Sequence, residues 1–216
     1  MSGTIFLSGA TGSIGRTLAR HLDGRGYRLV LSDRDSYELQ RLAAELQKEA
    51  VLAPLDLWAA GYDQYYALGA EIRASLGSLT ALIHCAGHCG NLHPLQHTPP
   101  EQWLRALQVN LTAPFWLTQN LVPALQAEGG RVIFTEHRQL REPQPYYWHG
   151  FGVSQTALAT LIDEWEAEAA ALNIRVRRVS PPWLDNNFSR AIFPAGKTEW
   201  APVDSVIPLY EEALHD

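Results

Sequence analysis

The chain has 216 residues, enough for one ordinary domain with a full apolar core, and 46% of them are hydrophobic. Its 17 Lys and Arg against 23 Asp and Glu leave a net charge of -6, with the basic residues scattered, which argues against a phosphate-tracking surface and hence a nucleic-acid partner. No apolar run approaches the roughly 18 residues of a membrane span, the opening MSGTIFLSGATG lacks a charged-then-apolar leader, and Cys85 and Cys89 are too few for a disulfide scaffold, so a non-exported cytoplasmic protein without a membrane partner is expected.

Aliphatic and β-branched runs at 4–8, 28–31, 50–53, 79–84, 131–135 and 174–179 read as six strands, several of them nearly continuous in apolar residues as buried parallel strands must be. Between them, 14–24, 37–49, 63–76, 100–127 and 154–172 carry apolar residues at three- and four-residue spacing and read as helices. Pro114 and Pro123 each remove a backbone donor inside the fourth of these, which should therefore kink or break. The βαβ alternation predicts an α/β fold, a doubly wound parallel sheet with helices on both faces, over one domain spanning 1–216. After the sixth strand, residues 181–202 are rich in turn formers and aromatics and read as a lid or substrate loop, followed by a short helix over 203–214.

The first strand runs into Gly9-Ala10-Thr11-Gly12-Ser13-Ile14-Gly15 and then a helix, the setting in which backbone N–H groups meet a pyrophosphate at a positive helix end. Asp33 ends the second strand, where a carboxylate accepts from ribose hydroxyls and repels a 2'-phosphate, favouring NAD(H) over NADP(H). Arg16 and Arg34 stand close enough in sequence to hold a 2'-phosphate instead, which keeps NADP(H) open. The alternative for this corner is structural: Arg34 and Asp35 solvate a turn while Asp33 caps the next helix.

These features resemble the short-chain dehydrogenase/reductase family, over nearly the whole chain. Asp56-Leu57 stands where that family contacts adenine, and Ala86-Gly87 follows the fourth strand where it has Asn-Ala-Gly. Asn110 matches its helix-four asparagine, and Ser180-Pro181-Pro182 takes the place of its Pro-Gly. The resemblance implies a Rossmann sheet of about six strands in the order 3-2-1-4-5-6, a bound dinucleotide and a homodimer through the fourth and fifth helices. It also implies a seventh strand, in whose place this sequence has only the last helical segment. Gly9, Gly12 and Gly15 follow the spacing of the family's extended branch, with Ser13 where other members have a glycine; Cys85 replaces an asparagine, and Asn186 stands where the family tends to have a threonine and could still bond the carboxamide.

The departures concentrate on the chemistry. Family enzymes pair a tyrosine with a lysine four residues on, and set a serine after the fifth strand; the tyrosine passes the proton and the lysine tunes it. Here Phe151 and Gln155 occupy the pair, and Glu136-His137-Arg138 holds no hydroxyl, so only Asn110 is kept. The resemblance therefore implies a member without the usual relay, cofactor-sensing or with no bound cofactor at all. The alternative is an active oxidoreductase with a relocated acid, Tyr147 first, then Tyr146, His149 and His137, against a packing role for Tyr146, Tyr147 and Trp148.

His84, Cys85, His88, Cys89, His93 and His97 crowd one stretch, but their spacing is no recognised zinc pattern and no metal is expected; Cys89, His88, His93 and His97 would be the first ligands to test. Trp183, Phe188, Phe193 and Trp200 suggest an apolar lid over a small apolar ligand.

Overall fold

A computed structural model describes residues 3–137, 147–193 and 199–215. Six parallel strands, β1 (Thr4–Ser8), β2 (Arg28–Ser32), β3 (Val51–Leu52), β4 (Ala81–His84), β5 (Arg131–Thr135) and β6 (Arg175–Val179), form one sheet in the order β3-β2-β1-β4-β5-β6. The order reverses at β1, whose residues Ile5 to Ser8 register against β2 on one side and β4 on the other. Side chains alternate across these strands, so each strand feeds two cores.

Phe6, Val30, Leu82, Val132, Phe134 and Val176 face α3 (Tyr62–Leu76), α5 (Ala113–Leu125) and α6 (His149–Glu168), which cover one side through Tyr65, Ile72, Leu117, Leu121, Leu158 and Ile162. Ile5, Leu7, Leu29, Leu31, Ile83 and Ile133 face the other side, covered by α1 (Ser13–Gly24), α2 (Ser36–Ala44) and α8 (Ile207–His215). Each fully buried Leu, Ile or Phe in these layers contributes about 1.5–3 kcal/mol. At the β6 edge, Arg178 reaches Glu166 of α6 at 2.7 Å and also Asp163, anchoring the crossover helix to the strand it feeds.

Several boundaries depart from the sequence reading. The fourth helical stretch is two helices, α4 (Pro100–Leu107) and α5, joined by a π-turn over Gln108–Thr112. The break thus precedes Pro114, which sits in the first turn of α5 where its missing N–H costs nothing, while Pro123 is accommodated inside that helix. The fifth helix begins at His149, earlier than its periodicity suggests, with Tyr147 (φ 88) and His149 (φ 30) in the left-handed region at its entry. β3 shrinks to two residues, and α2 ends at Ala44 because Asp23 captures the Gln47 and Lys48 N–H groups, drawing that segment onto α1. A helix the periodicity missed, α7 (Asn187–Ile192), follows β6, and Leu184 makes an isolated bridge to Ala201 across the predicted lid.

Candidate functional site

The turn after β1 is shaped by two close approaches. Gly9 adopts φ +70 and lies so near the end of β4 that a Cβ there would stand 2.5 Å from the Ala86 nitrogen. Gly15 lets α1 settle on the turn, since a Cβ there would be 2.2 Å from the Gly9 carbonyl oxygen. Gly12 is the N-cap of α1 and offers no side chain, so the first-turn N–H groups are left to face the cleft.

Asp33 braces this turn. Its Oδ2 accepts from the Thr11 N–H (3.1 Å) and hydroxyl (2.6 Å), and its Oδ1 from the Arg34 N–H (2.8 Å). The capping role weighed for Asp33 belongs instead to Asp35, whose Oδ1 accepts from Tyr37 and Glu38 N–H at the start of α2. Arg16 is not available for a 2'-phosphate in this arrangement; it pairs with Glu38 at 2.9 Å and Glu45 at 3.3 Å, leaving Arg34 as the exposed cation at the rim.

A cleft of about 440 Å³ runs from this turn across the C-terminal ends of the strands, where ligands bind in open α/β sheets. Gly9, Thr11, Gly12, Ser13, Ile14, Asp33, Arg34, Asp56, Leu57, Ala86, Gly87 and Pro181 all line it, whereas Gly15 is buried beneath the turn. At the β2–β3 end, Asp56 accepts from the Trp58 N–H at 2.9 Å, and the Arg105 guanidinium lies over the Trp58 ring at 5.1 Å. The sequence reading missed Trp58 and Arg105; their signal was the aromatic beside Asp56 and a cation one helical turn before Val109, another lining residue.

The β4–β6 end is aromatic. His137 follows β5, and its ring lies parallel to Trp183 (5.5 Å, 17°) and to Phe188 (5.6 Å, 6°). Phe151, fully buried, meets Phe188 edge-on at 5.7 Å. Trp183 also stacks with Trp148 and meets Phe193 in a T-shaped contact at 5.0 Å. Burial pushes the His137 imidazole down to about 4, so it is neutral at neutral pH. The Gln155 Oε1 accepts from the His137 N–H at 3.0 Å. Asn186 caps α7 by accepting from the Ser189 N–H at 2.9 Å, so its carbonyl is committed to the helix.

Asn110 does not line the cleft. It is buried in the π-turn, where its Oδ1 accepts from the His88 N–H (2.7 Å) and its Nδ2 donates to the His88 carbonyl (2.8 Å) and the Ser154 hydroxyl (2.9 Å). It therefore pins the loop after β4 to α6. Tyr147, the leading relocated acid, is 52% exposed and is not among the residues that line the cleft; its carbonyl accepts from the His93 N–H. Of the other candidates, His149 is buried with Nε2 at 2.8 Å from the Asn91 carbonyl, and His137 alone lines the cleft, while Tyr146 and Arg138 lie outside the described residues.

At the cleft floor, where Cys85 and Thr135 line the wall, the Thr135 and Tyr210 hydroxyls are 2.5 Å apart, and burial pushes the Cys85 thiol up to about 12. His84 stacks on Phe134 at 4.8 Å with Nε2 2.9 Å from the Thr118 hydroxyl, so it points into the core, away from the loop histidines. Among the described residues no three of His, Cys, Asp or Glu converge as a metal site, and no helix is long and apolar enough to cross a membrane.

Comparison with known proteins agrees with this geometry. YciK of Escherichia coli K12, described as an uncharacterized oxidoreductase, is 27% identical over 217 residues, covering 95% of this chain and 83% of its own. A short chain dehydrogenase from Salmonella enterica serovar Typhi superposes with a TM-score of 0.93 at 25% identity, over 100% of this chain and 91% of that one. One from E. coli CFT073, complexed with NADPH, superposes with a TM-score of 0.89 at 25% identity, over 99% and 91%. Residues 3–196 match the model of the short chain dehydrogenase family, and the chain belongs to that family.

Proposed function

We propose that the chain binds a nicotinamide dinucleotide, NAD(H) in preference to NADP(H), and works without the Tyr/Lys/Ser proton relay, as a cofactor-sensing or scaffolding member of its family. The observation that carries this reading is Phe151: a ring with no ionisable hydroxyl, fully buried among aromatics, one turn from a Gln155 whose oxygen is engaged by the His137 N–H. A side chain without a titrating proton cannot act as general acid, and a neutral amide supplies no charge to tune one.

The glycine cradle and the uncapped start of α1 fit a pyrophosphate, and NADPH in the E. coli CFT073 relative supports a dinucleotide here. Asp33 and Asp35 line the ribose end beside the exposed Arg34, with Glu38 there already paired to Arg16 and Arg41, and the two remaining carboxylates favour NAD(H). The whole chain is read as one domain, with 181–202 as its lid over any small apolar ligand. Exposed Leu104, Phe115 and Val153 on α4, α5 and α6 support a homodimer through that face, to be tested by light scattering. Two free thiols support a cytoplasmic setting.

Fluorescence titration with NADH and NADPH, followed by a screen of carbonyl substrates for cofactor oxidation, tests the reading: tighter NADH binding without turnover is expected. One observation favours the competing reading of an active oxidoreductase, namely that His137 carries a neutral imidazole in the cleft. Turnover abolished by His137→Ala would establish that alternative, and failure to bind either coenzyme would overturn both.

A further inference from the structure

The two ends of the cleft differ in how their polar groups are used. In a doubly wound sheet a dinucleotide lies across the strand ends with its pyrophosphate on the turn after β1 and its adenosine toward β2 and β3, which sends the nicotinamide toward β4, β5 and β6. On the adenosine side the recognition groups remain open. The first N–H groups of α1 have no side-chain cap, Arg34 is exposed at the rim, and Asp33 retains lone pairs beyond those engaged by Thr11 and Arg34.

On the nicotinamide side, polar groups among the described residues are partly turned inward to the protein, and the surface offered to a ligand is aromatic. The Asn110 amide is committed to the His88 main chain and Ser154, and the side-chain carbonyls of Gln155 and Asn186 accept from His137 and Ser189 N–H. Pro181 and Pro182, at the mouth of β6, have no N–H to offer. What faces the cleft instead is the parallel array of His137, Trp183 and Phe188 with Phe151 edge-on behind it. Seating a pyridine ring there means separating rings that already satisfy one another.

We propose that this cleft is an adenosine-diphosphate site, in which adenosine and pyrophosphate supply the affinity and the His137–Trp183–Phe188 array takes the place of the nicotinamide ring. The inference rests on the nucleotide-binding reading above and narrows it to the moiety recognised. The ligand class is then any adenosine 5'-diphosphate compound, whatever its distal group, and the nicotinamide of a bound dinucleotide stays in solvent.

Isothermal titration of the full chain with NAD+, NADH, ADP-ribose, ADP and nicotinamide mononucleotide at one ionic strength separates the outcomes. The expected result is that the four adenosine diphosphates share dissociation constants within threefold, the mononucleotide shows no saturable binding, and the nicotinamide emission of bound NADH matches that of free NADH. A preference for either dinucleotide over ADP-ribose beyond threefold, or saturable binding of the mononucleotide, overturns the inference and leaves the dinucleotide reading standing. Absence of binding by all five ligands overturns both.

Discussion

The main-chain N–H of His137 donates to the side-chain oxygen of Gln155 at 3.0 Å, so Gln155 serves as an internal brace between the end of β5 and α6. Gln155 is 5% exposed, which makes the brace structural. Gln155→Leu should leave the His137 N–H without its acceptor and cost about 1–3 kcal/mol. For a chain of this size that is a fall in Tm on the order of 2–4 °C per kcal/mol, read by calorimetry; an unchanged Tm would show the bond to be idle.

Asn110→Asp should be as damaging as Asn110→Ala. A carboxylate keeps the acceptor for the His88 N–H but cannot donate to the His88 carbonyl or the Ser154 hydroxyl, and it is a charge at a 2% exposed position. Both variants should lose about 2–4 kcal/mol in urea denaturation. A mild Asn110→Asp would show that the donor half of the amide is dispensable.

Gly9→Ala and Gly12→Ala should separate folding from binding. At Gly9 the new methyl meets the Ala86 backbone at 2.5 Å and φ is +70, so melting temperature should fall along with nucleotide affinity. At Gly12 the nearest atom is 3.3 Å away and the backbone is extended, so the fold should persist while nucleotide binding weakens at the crowded turn. Equal stability of the two variants would refute this division.

Asp33→Asn should reduce discrimination against NADPH by roughly tenfold, about 1.4 kcal/mol, by removing a negative group at the ribose end. Competition titration with NADH and NADPH measures it; an unchanged ratio would mean that Arg34 sets the preference alone.

Acid should unfold the protein early. Burial depresses His84 to about 3 and His137 to about 4, against about 6.5 in the unfolded chain. Both are neutral when folded, so the unfolded state binds more protons below pH 6.5, and stability present above that value is lost as pH falls toward 4. Each contributes a slope of up to about 1.4 kcal/mol per pH unit in that window. Urea midpoints from pH 7 to pH 5 should fall steeply, and His137→Asn should flatten the slope by about one proton's worth.

The strands and the nucleotide turn were legible in the sequence because both depend on local signals: continuous apolar strands, glycines between strand and helix, Asp33 at a strand end; the strand order came only with the family resemblance. The π-turn was not, because nothing local marks it; it is held by Asn110 reaching a loop 22 positions away in sequence. Tyr147 lies away from the cleft for a related reason. Helical spacing placed it one turn before Phe151, but the backbone enters the left-handed region at Tyr147 and again at His149, and the side chain ends at the surface. The aromatic residues of 181–202 were recognised as apolar, whereas their interlocking with His137 arises only when α7 folds back over β5.

Tyr210 reaches from α8 to Thr135 in the cleft wall, and the same helix meets α1 through His21 and Glu211 at 2.6 Å. The glycine turn and the Tyr210–Thr135 contact are far apart in sequence yet belong to one cleft, so removal of residues 207–215 should loosen the pocket while the six strands still pair.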